Sequence, residues 1–352
     1  MARLRGPARP SGQEAVLLVA GAEPWVDYLP RRFFAEPPKR ESIGRASIWS
    51  LPGLLRRLRS SADLTIARVD RLSKRMFFGG DYLHVPEWIG ADLAIPENLP
   101  ALFRSNTSLH GDMRRMRRQR LQPSISHLMA DFDLFYDTMY APYARARYED
   151  LSMIGPKHRW RHWFRRGGVL FVERDGERLA GLLFTRYKDT FYFSIVGTRD
   201  GQWAPVKQGA LAALKFFAIQ HAQDMGCNRI GYGNSRSVLQ DGVLRFKSKW
   251  RVRFYPNPFP LFELMVYWNR LEGVVADFFS HTSLIFMENG GLAAIHATAG
   301  DRPPEPADYK ALWINGLSRL FLVGRGAWPS GMEESPRITF LNPGTRPGYF
   351  SN

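Results

Sequence analysis

The 352-residue chain has one cysteine, Cys227. An intrachain disulfide framework and a cysteine-based zinc site are therefore excluded, and a reducing compartment suits the chain. Cys227 leads into a strand-like segment, where a thiol usually serves as a small buried hydrophobe. No apolar run reaches the roughly 18 residues needed to cross a bilayer as a helix. The start, MARLRGPARPSGQEAVLLVAGAEPW, places basic residues before an apolar run, and Ala20-Gly21-Ala22 imitates a cleavage site. The run is short and Gln13-Glu14 interrupts the approach, so 15–20 reads as a first strand rather than a signal peptide. Acidic residues are also scarce: 33 Asp+Glu against 49 Lys+Arg, a formal charge of +16. That excess favours polyanionic partners and is equally compatible with a basic surface carried for solubility.

What is present suffices for a core. A hydrophobic share of 45% with 13% aromatics excludes a disordered chain, and the length points to two domains. Residues 1–14 read as a loose basic tail. A short helix over 23–34 is stopped by the prolines of AEPPKRES. Leu51, Leu54, Leu55 and Leu58 fall at helical spacing, 63–69 alternates like a strand, and 81–98 reads as loop. Five of the seven residues from Arg114 to Arg120 are arginine, and Pro123 follows. This basic segment reads as a linker and marks the main boundary. The division is 1–122, 123–290 and a Pro/Gly-rich extension over 291–352.

Beyond the boundary the pattern is clearer. It predicts a strand over 124–128, an aromatic helix over 131–147 interrupted at Pro142, and a second helix over 155–166. A three-strand meander follows over 169–174, 178–187 and 190–197, with tight turns at Asp175-Gly176 and Lys188-Asp189. Then come a long helix over 205–225 stopped by Gly226, a strand over 229–232, and further strands over 243–254 and 261–267. Helices on a mostly antiparallel sheet make this an α+β domain.

Four segments carry a resemblance: FYDTMYAPYARARYED, LFVERDGERLAGLLFTRYKDTFYFSIVGT, ALAALKFFAIQHAQDMGCNRIGYGNS and GVLRFKSKW. Their order resembles the core of the GNAT acyltransferase fold. Residues 124–254 more closely resemble its FemAB-like branch, whose members transfer acyl or aminoacyl groups to amines. The arginine segment is similar to the basic linker that precedes that domain, and 1–122 is expected as a degenerate sister domain. The resemblance implies an N-acyltransferase acting on an amine-bearing small molecule or cell-envelope precursor, in the cytoplasm or at the inner face of its membrane. The Gln/Arg-x-x-Gly-x-Gly/Ala signature of CoA-using members is absent. WAPVKQGALAAL stands in its place, with Lys207, Gln208 and Gly209 to meet donor phosphate. The donor stays open among acyl-CoA, a carrier-protein thioester and charged tRNA, and no metal is implied.

Amide formation needs a deprotonated amine, a stabilised oxyanion and a protonated leaving group. Lys247 matches the lysine of the FemAB-like Phe-Lys pattern, which implies stabilisation of developing negative charge. Read as a strand, RFKSKW puts Lys247 and Lys249 on one face and Phe246 on the other, and a solvated strand edge bearing lysines is the alternative. Asn234, Ser235, Arg236 and Trp250 are expected around the acceptor, with Asp241 as a further catalytic group. The bland reading of these is a Gly-Asn turn with solvated tips. Tyr192 is the candidate acid, with a buried structural tyrosine as the alternative; Glu173 reads as a surface ion pair before it reads as a base acting through water. His158 and His162 have metal-ligand spacing but sit among five cations with no nearby carboxylate in sequence. Arg114, Arg115, Arg117 and Arg118 form the polyanion candidate, for tRNA or another phosphate backbone. A catalytically inactive GNAT-like module binding RNA is the competing function, and a docking scaffold is a third.

Overall fold

The computed structural model describes residues 1–22, 27–104, 106–148, 154–298, 309–324, 337–341 and 344–351. It divides into two compact units. The first comprises Met1–Gly90, Asn234–Arg245 and Phe254–Asn352, and the second Ala91–Gly233 and Phe246–Arg253. Both are α+β with mostly antiparallel pairing, apart from one four-stranded sheet of the first unit in which two of the three pairings are parallel.

The second unit follows the predicted order closely. Strands Gly167–Arg174, Glu177–Tyr187 and Thr190–Thr198 form the antiparallel meander, flanked by Gln122–Ser126. At the first turn Asp175 and Gly176 both take positive φ (52° and 81°), as a two-residue hairpin turn matched to strand twist requires. Val169 to Val172 are all fully buried, so this strand is covered on both faces. One cover is the aromatic helix, which runs Met129–Phe135, a π-helical turn Tyr136–Tyr140, then Ala141–Tyr148. The widened turn precedes Pro142, which has no N–H to continue the ladder. Phe132, Phe135, Met139 and Tyr140 pack there with Phe164, Val169, Phe171 and Leu183. The long helix is Ala210–Asp224, preceded by a separate short turn Ala204–Lys207. A final strand, Arg229–Gly231, runs parallel to Thr190–Thr198, so the GNAT-like core implied by the sequence is present.

The first unit departs from expectation. The tail read at 1–14 contains strand Ala2–Pro7, whose Ala2 and Leu4 are buried while Arg5 points to solvent. It pairs with Glu14–Ala20 and Lys39–Ser42. The region read as loop over 81–98 holds strands Leu83–Pro86 and Trp88–Ala94. The six-stranded sheet places Phe262–Trp268 between Leu64–Asp70 and Leu83–Pro86. The C-terminal region is not an extension. Its strands Leu284–Glu288, Gly291–Ala297, Leu317–Val323 and Ile338–Leu341 form a second sheet, and Phe286, Phe321 and Phe350 join the first unit's core. The first unit thus draws on both ends of the chain rather than on 1–122 alone. Most of the predicted helix over 23–34 reduces to Pro30–Phe33, with 23–26 outside the described residues; the RPPEPADY segment lies largely outside them too.

The arginine segment is no linker. It is the last part of helix Thr107–Arg118 in the second unit, capped by Asn106, which accepts from Ser108 N and Leu109 N, and anchored by buried Leu109, Met113 and Met116. The predicted strand over 243–254 is replaced by helix Gly242–Ser248 and strand Arg253–Pro256. Asp241 Oδ1 accepts from Val243 N and Leu244 N at 2.9 and 3.0 Å, a helix N-cap that an alternating pattern conceals.

The aromatic helix lies close to the meander because glycines stand beneath it. A Cβ at Gly197 would come within 2.4–2.5 Å of the Met139 and Tyr140 backbone. Gly197→Ala is expected to lower the thermal midpoint, at roughly 1–3 kcal/mol of stability. Gly111→Ala, in the arginine helix with nothing within 4 Å, is expected to be neutral or stabilising by up to about 1 kcal/mol. Equal midpoints for the two variants would dismiss the close approach as a constraint.

Candidate functional site

The parallel strands Thr190–Thr198 and Arg229–Gly231 pair at three positions only: Thr190 with Arg229, Phe191 with Ile230, Tyr192 with Gly231. Beyond Tyr192 the longer strand keeps its antiparallel neighbour alone, and a register shift between Phe193 and Ile195 sets Ser194 apart. The pair therefore opens at the carboxyl end of its strands, the edge where open sheets bind ligands.

The groups around the opening are buried and poorly matched. Phe193 and Tyr232 meet at 4.7 Å between ring centroids. Lys215, from the long helix, holds its ammonium 4.0 Å from the Phe193 ring centroid and 5.1 Å from that of Tyr232. Lys215 is 8% exposed, and among the described residues no carboxylate faces it. Burial first, and the neighbouring charge of Lys247 second, hold the Lys215 amine well below its ordinary range. The Tyr232 hydroxyl and Ser194 Oγ are buried without a hydrogen-bond partner among the described residues. Burial pushes the Tyr232 phenol well up, so it stays protonated and available as a donor. Lys247 donates from Nζ to the Gly233 carbonyl at 3.1 Å. Lys215, Tyr232 and Lys247 are thus brought together. Only Lys247 is visible in the sequence as a site residue; the signal for Lys215 is one charge inside the apolar run ALAALKFFAI.

At the start of the long helix, Gly209 takes the N-cap position with φ +92° and supplies no side-chain cap. The amides of the first turn have no partner further back in the helix. Arg115 lies against Gly209 and donates to the Lys207 carbonyl at 3.4 Å, while the Lys207 side chain is exposed. Gln208 is engaged, its Oε1 accepting from Arg174 at 3.2 Å. Two further cations, Arg115 and Arg174, therefore surround Lys207, Gln208 and Gly209.

Other expected site residues are placed differently. Strand alternation puts Tyr192 on the face opposite Phe193, with its ring covering Gly231. The helical form of 242–248 removes the shared face of Lys247 and Lys249: Lys247 is buried and Lys249 exposed. Trp250 is fully buried and packs as core. Lys247 belongs to the second unit, and Asn234, Ser235, Arg236 and Asp241 belong to the first. There Ser235 is buried beside Ile89, and Arg236 lies 3.6 Å from Glu87 and 4.3 Å over the Trp88 ring. Asp241 accepts from Tyr28 Oη at 2.9 Å besides capping its helix. Asn234 is exposed. The turn is thus mostly packed structure rather than solvated tips. Glu173 pairs with Arg178 at 3.3 Å and accepts from Ser124.

The helix bearing His158 and His162, Lys157–Phe164, is not without carboxylates. Asp133 and Asp137 of the aromatic helix pair with Lys157 at 3.0 and 2.6 Å, and Asp133 with Arg161 at 2.8 Å. Tertiary packing supplies the acids that the local sequence lacks.

A lysine whose folded-state pKa lies below its unfolded value destabilises the fold at low pH, and stability rises with pH toward the unfolded value of about 10.4. Lys215→Met is therefore expected to raise the thermal midpoint at neutral pH, by an amount that shrinks as pH is brought toward 10. A pH-independent difference between variant and wild type would mean that Lys215 is not held neutral.

No family model matches the chain, and no curated protein matches it. Among solved structures it is similar to FemX, at 11% identity over 74% of this chain and 83% of that one, with a TM-score of 0.41. It is also similar to L-PGS from Bacillus licheniformis, at 10% identity over 75% and 83%, with a TM-score of 0.38. A third is a tandem GNAT protein from the clavulanic acid biosynthesis pathway, at 9% identity over 66% and 72%, with a TM-score of 0.31.

Proposed function

We propose that the chain is an N-acyltransferase, moving an acyl or aminoacyl group from an activated donor to an amine. The observation that carries this reading is the open strand pair, with Lys215, Lys247 and the Tyr232 hydroxyl buried beside it and, among the described residues, no carboxylate facing Lys215 and no partner for the Tyr232 hydroxyl. Buried polar groups without partners are costly to keep, and an arriving substrate supplies what they lack.

In this reading the donor's phosphates rest at the first turn of the long helix, against Arg115 and Lys207. Lys215 stands five residues further on, about 7.5 Å along the axis. The acceptor nitrogen attacks the acyl carbon, and Lys247 stabilises the oxyanion that forms. Neutral Lys215 takes the proton lost by the nitrogen as the C–N bond forms. The tetrahedral intermediate then collapses, the bond to the leaving sulfur or oxygen breaks, and the proton passes to that atom. The Tyr232 hydroxyl, kept protonated, donates a hydrogen bond to developing negative charge.

A phosphate-bearing thioester such as acyl-CoA suits the helix start best. Charged tRNA is the other donor to test, because Arg114, Arg117 and Arg118 are exposed and make no ion pair among the described residues. The acceptor is an amine-bearing small molecule or envelope precursor, with the reaction at the cytoplasmic side. The competing reading, an inactive module that binds RNA, rests on the same arginines.

The test is a thermal-shift series with acyl-CoAs and with charged tRNA, followed by release of free thiol or uncharged tRNA in the presence of amines. Binding of the donor raises the midpoint, and Lys207→Glu is expected to remove the rise seen with acyl-CoA. Lys215→Met and Lys247→Ala are expected to keep donor binding and lose roughly 10²–10⁴-fold in turnover. RNA binding that weakens steeply with salt, with no transfer from either donor, would replace this reading with the inactive module.

A further inference from the structure

A cavity of about 540 Å³ lies within the second unit, apart from the strand opening. Its walls come from helix Leu99–Arg104, the arginine helix Thr107–Arg118 and the outer side of the long helix Ala210–Asp224. The size falls in the range of about 300–1,000 Å³ typical of small-molecule sites. Its lining has two chemistries. Leu99, Met113 and Phe216 make an apolar wall, and His110, Arg114 and Arg117 make a rim. The rim residues stand at i, i+4 and i+7, which places them on one face of the arginine helix.

The rim is cationic and unmatched. Arg114 and Arg117 are exposed and have no acidic partner among the described residues, whereas Arg115 in the same helix lies 3.7 Å from Asp112. Two exposed arginines one turn apart on the same helix face favour an anion between them, and guanidinium geometry suits phosphate oxygens. The wall behind them carries no charge. Inorganic phosphate would satisfy the rim and leave the wall wet. A nucleic-acid backbone would do the same. A neutral hydrocarbon would fill the wall and leave the arginines unanswered. The wall is also mainly aliphatic, with one aromatic ring, which suits an alkyl chain better than a stacked base.

We propose that this cavity binds a phosphate-headed amphiphile, with the phosphate between Arg114 and Arg117 and the alkyl chain along Leu99, Met113 and Phe216. The proposal does not rest on the transfer reaction or on the lysines of the strand opening. The amphiphile has two sources: a free monomer, or an anionic lipid still seated in a bilayer.

The experiment titrates the full chain with dodecyl phosphate held below its micellar concentration, reading heat of binding and thermal midpoint. Inorganic phosphate and dodecyl maltoside serve as controls for head and chain alone. The expected result is binding of dodecyl phosphate at least 10-fold tighter than either control. Arg114→Gln/Arg117→Gln, at exposed positions that do not threaten folding, is expected to weaken it 10-fold or more. Gln220→Trp, on the exposed edge of the cavity, is expected to block the chain. Co-sedimentation with phosphatidylglycerol vesicles, reversed by dodecyl phosphate, would assign the bilayer source. Monomer binding without sedimentation would assign the free amphiphile. Dodecyl phosphate binding no tighter than its controls, or binding unchanged in both variants, would overturn the proposal.

Discussion

The second unit turns on a strand that loses one of its two partners after its third residue. Thr190–Thr198 is paired along one side throughout, but on the other side only as far as Tyr192. Backbone groups past that point need other partners, and the fold does not cover them with another strand. The register shift around Ser194 is the local expression of the same constraint, since a bulge bends a strand and re-aims a side chain. The neighbouring groups inherit the consequence. Lys215 and Tyr232 are both buried; among the described residues the Tyr232 hydroxyl finds no hydrogen-bond partner and no carboxylate faces Lys215.

The first unit shows what ordinary burial of charge looks like in the same chain. Arg68 meets Glu87 at 3.1 Å with both side chains under a tenth exposed, and Arg236 approaches the same carboxylate. Lys74 meets Glu263 at 2.5 Å, and Tyr28 donates to Asp241. Arg68, Arg236 and Lys74 each have an anion. Beside the open strand pair Lys215 departs from that pattern: among the described residues no carboxylate faces it. A buried amine of that kind, set at the carboxyl edge of a parallel pair, costs stability.

The meander was legible because period and punctuation agree: alternating apolar residues broken by Asp175-Gly176, where both residues take positive φ, and by Lys188-Asp189, where Lys188 does. Ala2–Pro7 was not, because its outward arginines and its proline resemble a disordered tail, and only pairing with Glu14–Ala20 and Lys39–Ser42 reveals the strand. The make-up of the first unit was illegible for a related reason. Phe262–Trp268 enters the sheet beside Leu64–Asp70, about two hundred positions earlier in the chain, and nothing local records that pairing. In the candidate site, Lys247 was reached through a motif and the wrong secondary structure. GVLRFKSKW alternates, but Asp241 caps it, and Leu244 and Lys247 are buried three residues apart. Lys215 carried a physical signal, a lone charge on the buried side of an apolar helix, and no motif to draw the eye to it.

The helical form changes what Lys247 can do. In a strand, Lys247 and Lys249 would share one face as a solvated basic edge, where water screens both charges. On the helix Lys247 is buried, and its ammonium is held by the Gly233 carbonyl, in a turn where Gly233 takes φ +66°. The Gly233 carbonyl fixes where the Lys247 side chain sits, and the charge of that neighbour is the second cause, after burial, that holds the Lys215 amine below its ordinary range. Burial is what separates the strand reading from the helical one: water screens a lysine on a solvated edge and does not reach one packed inside, so the charge of a neighbour is felt more strongly there.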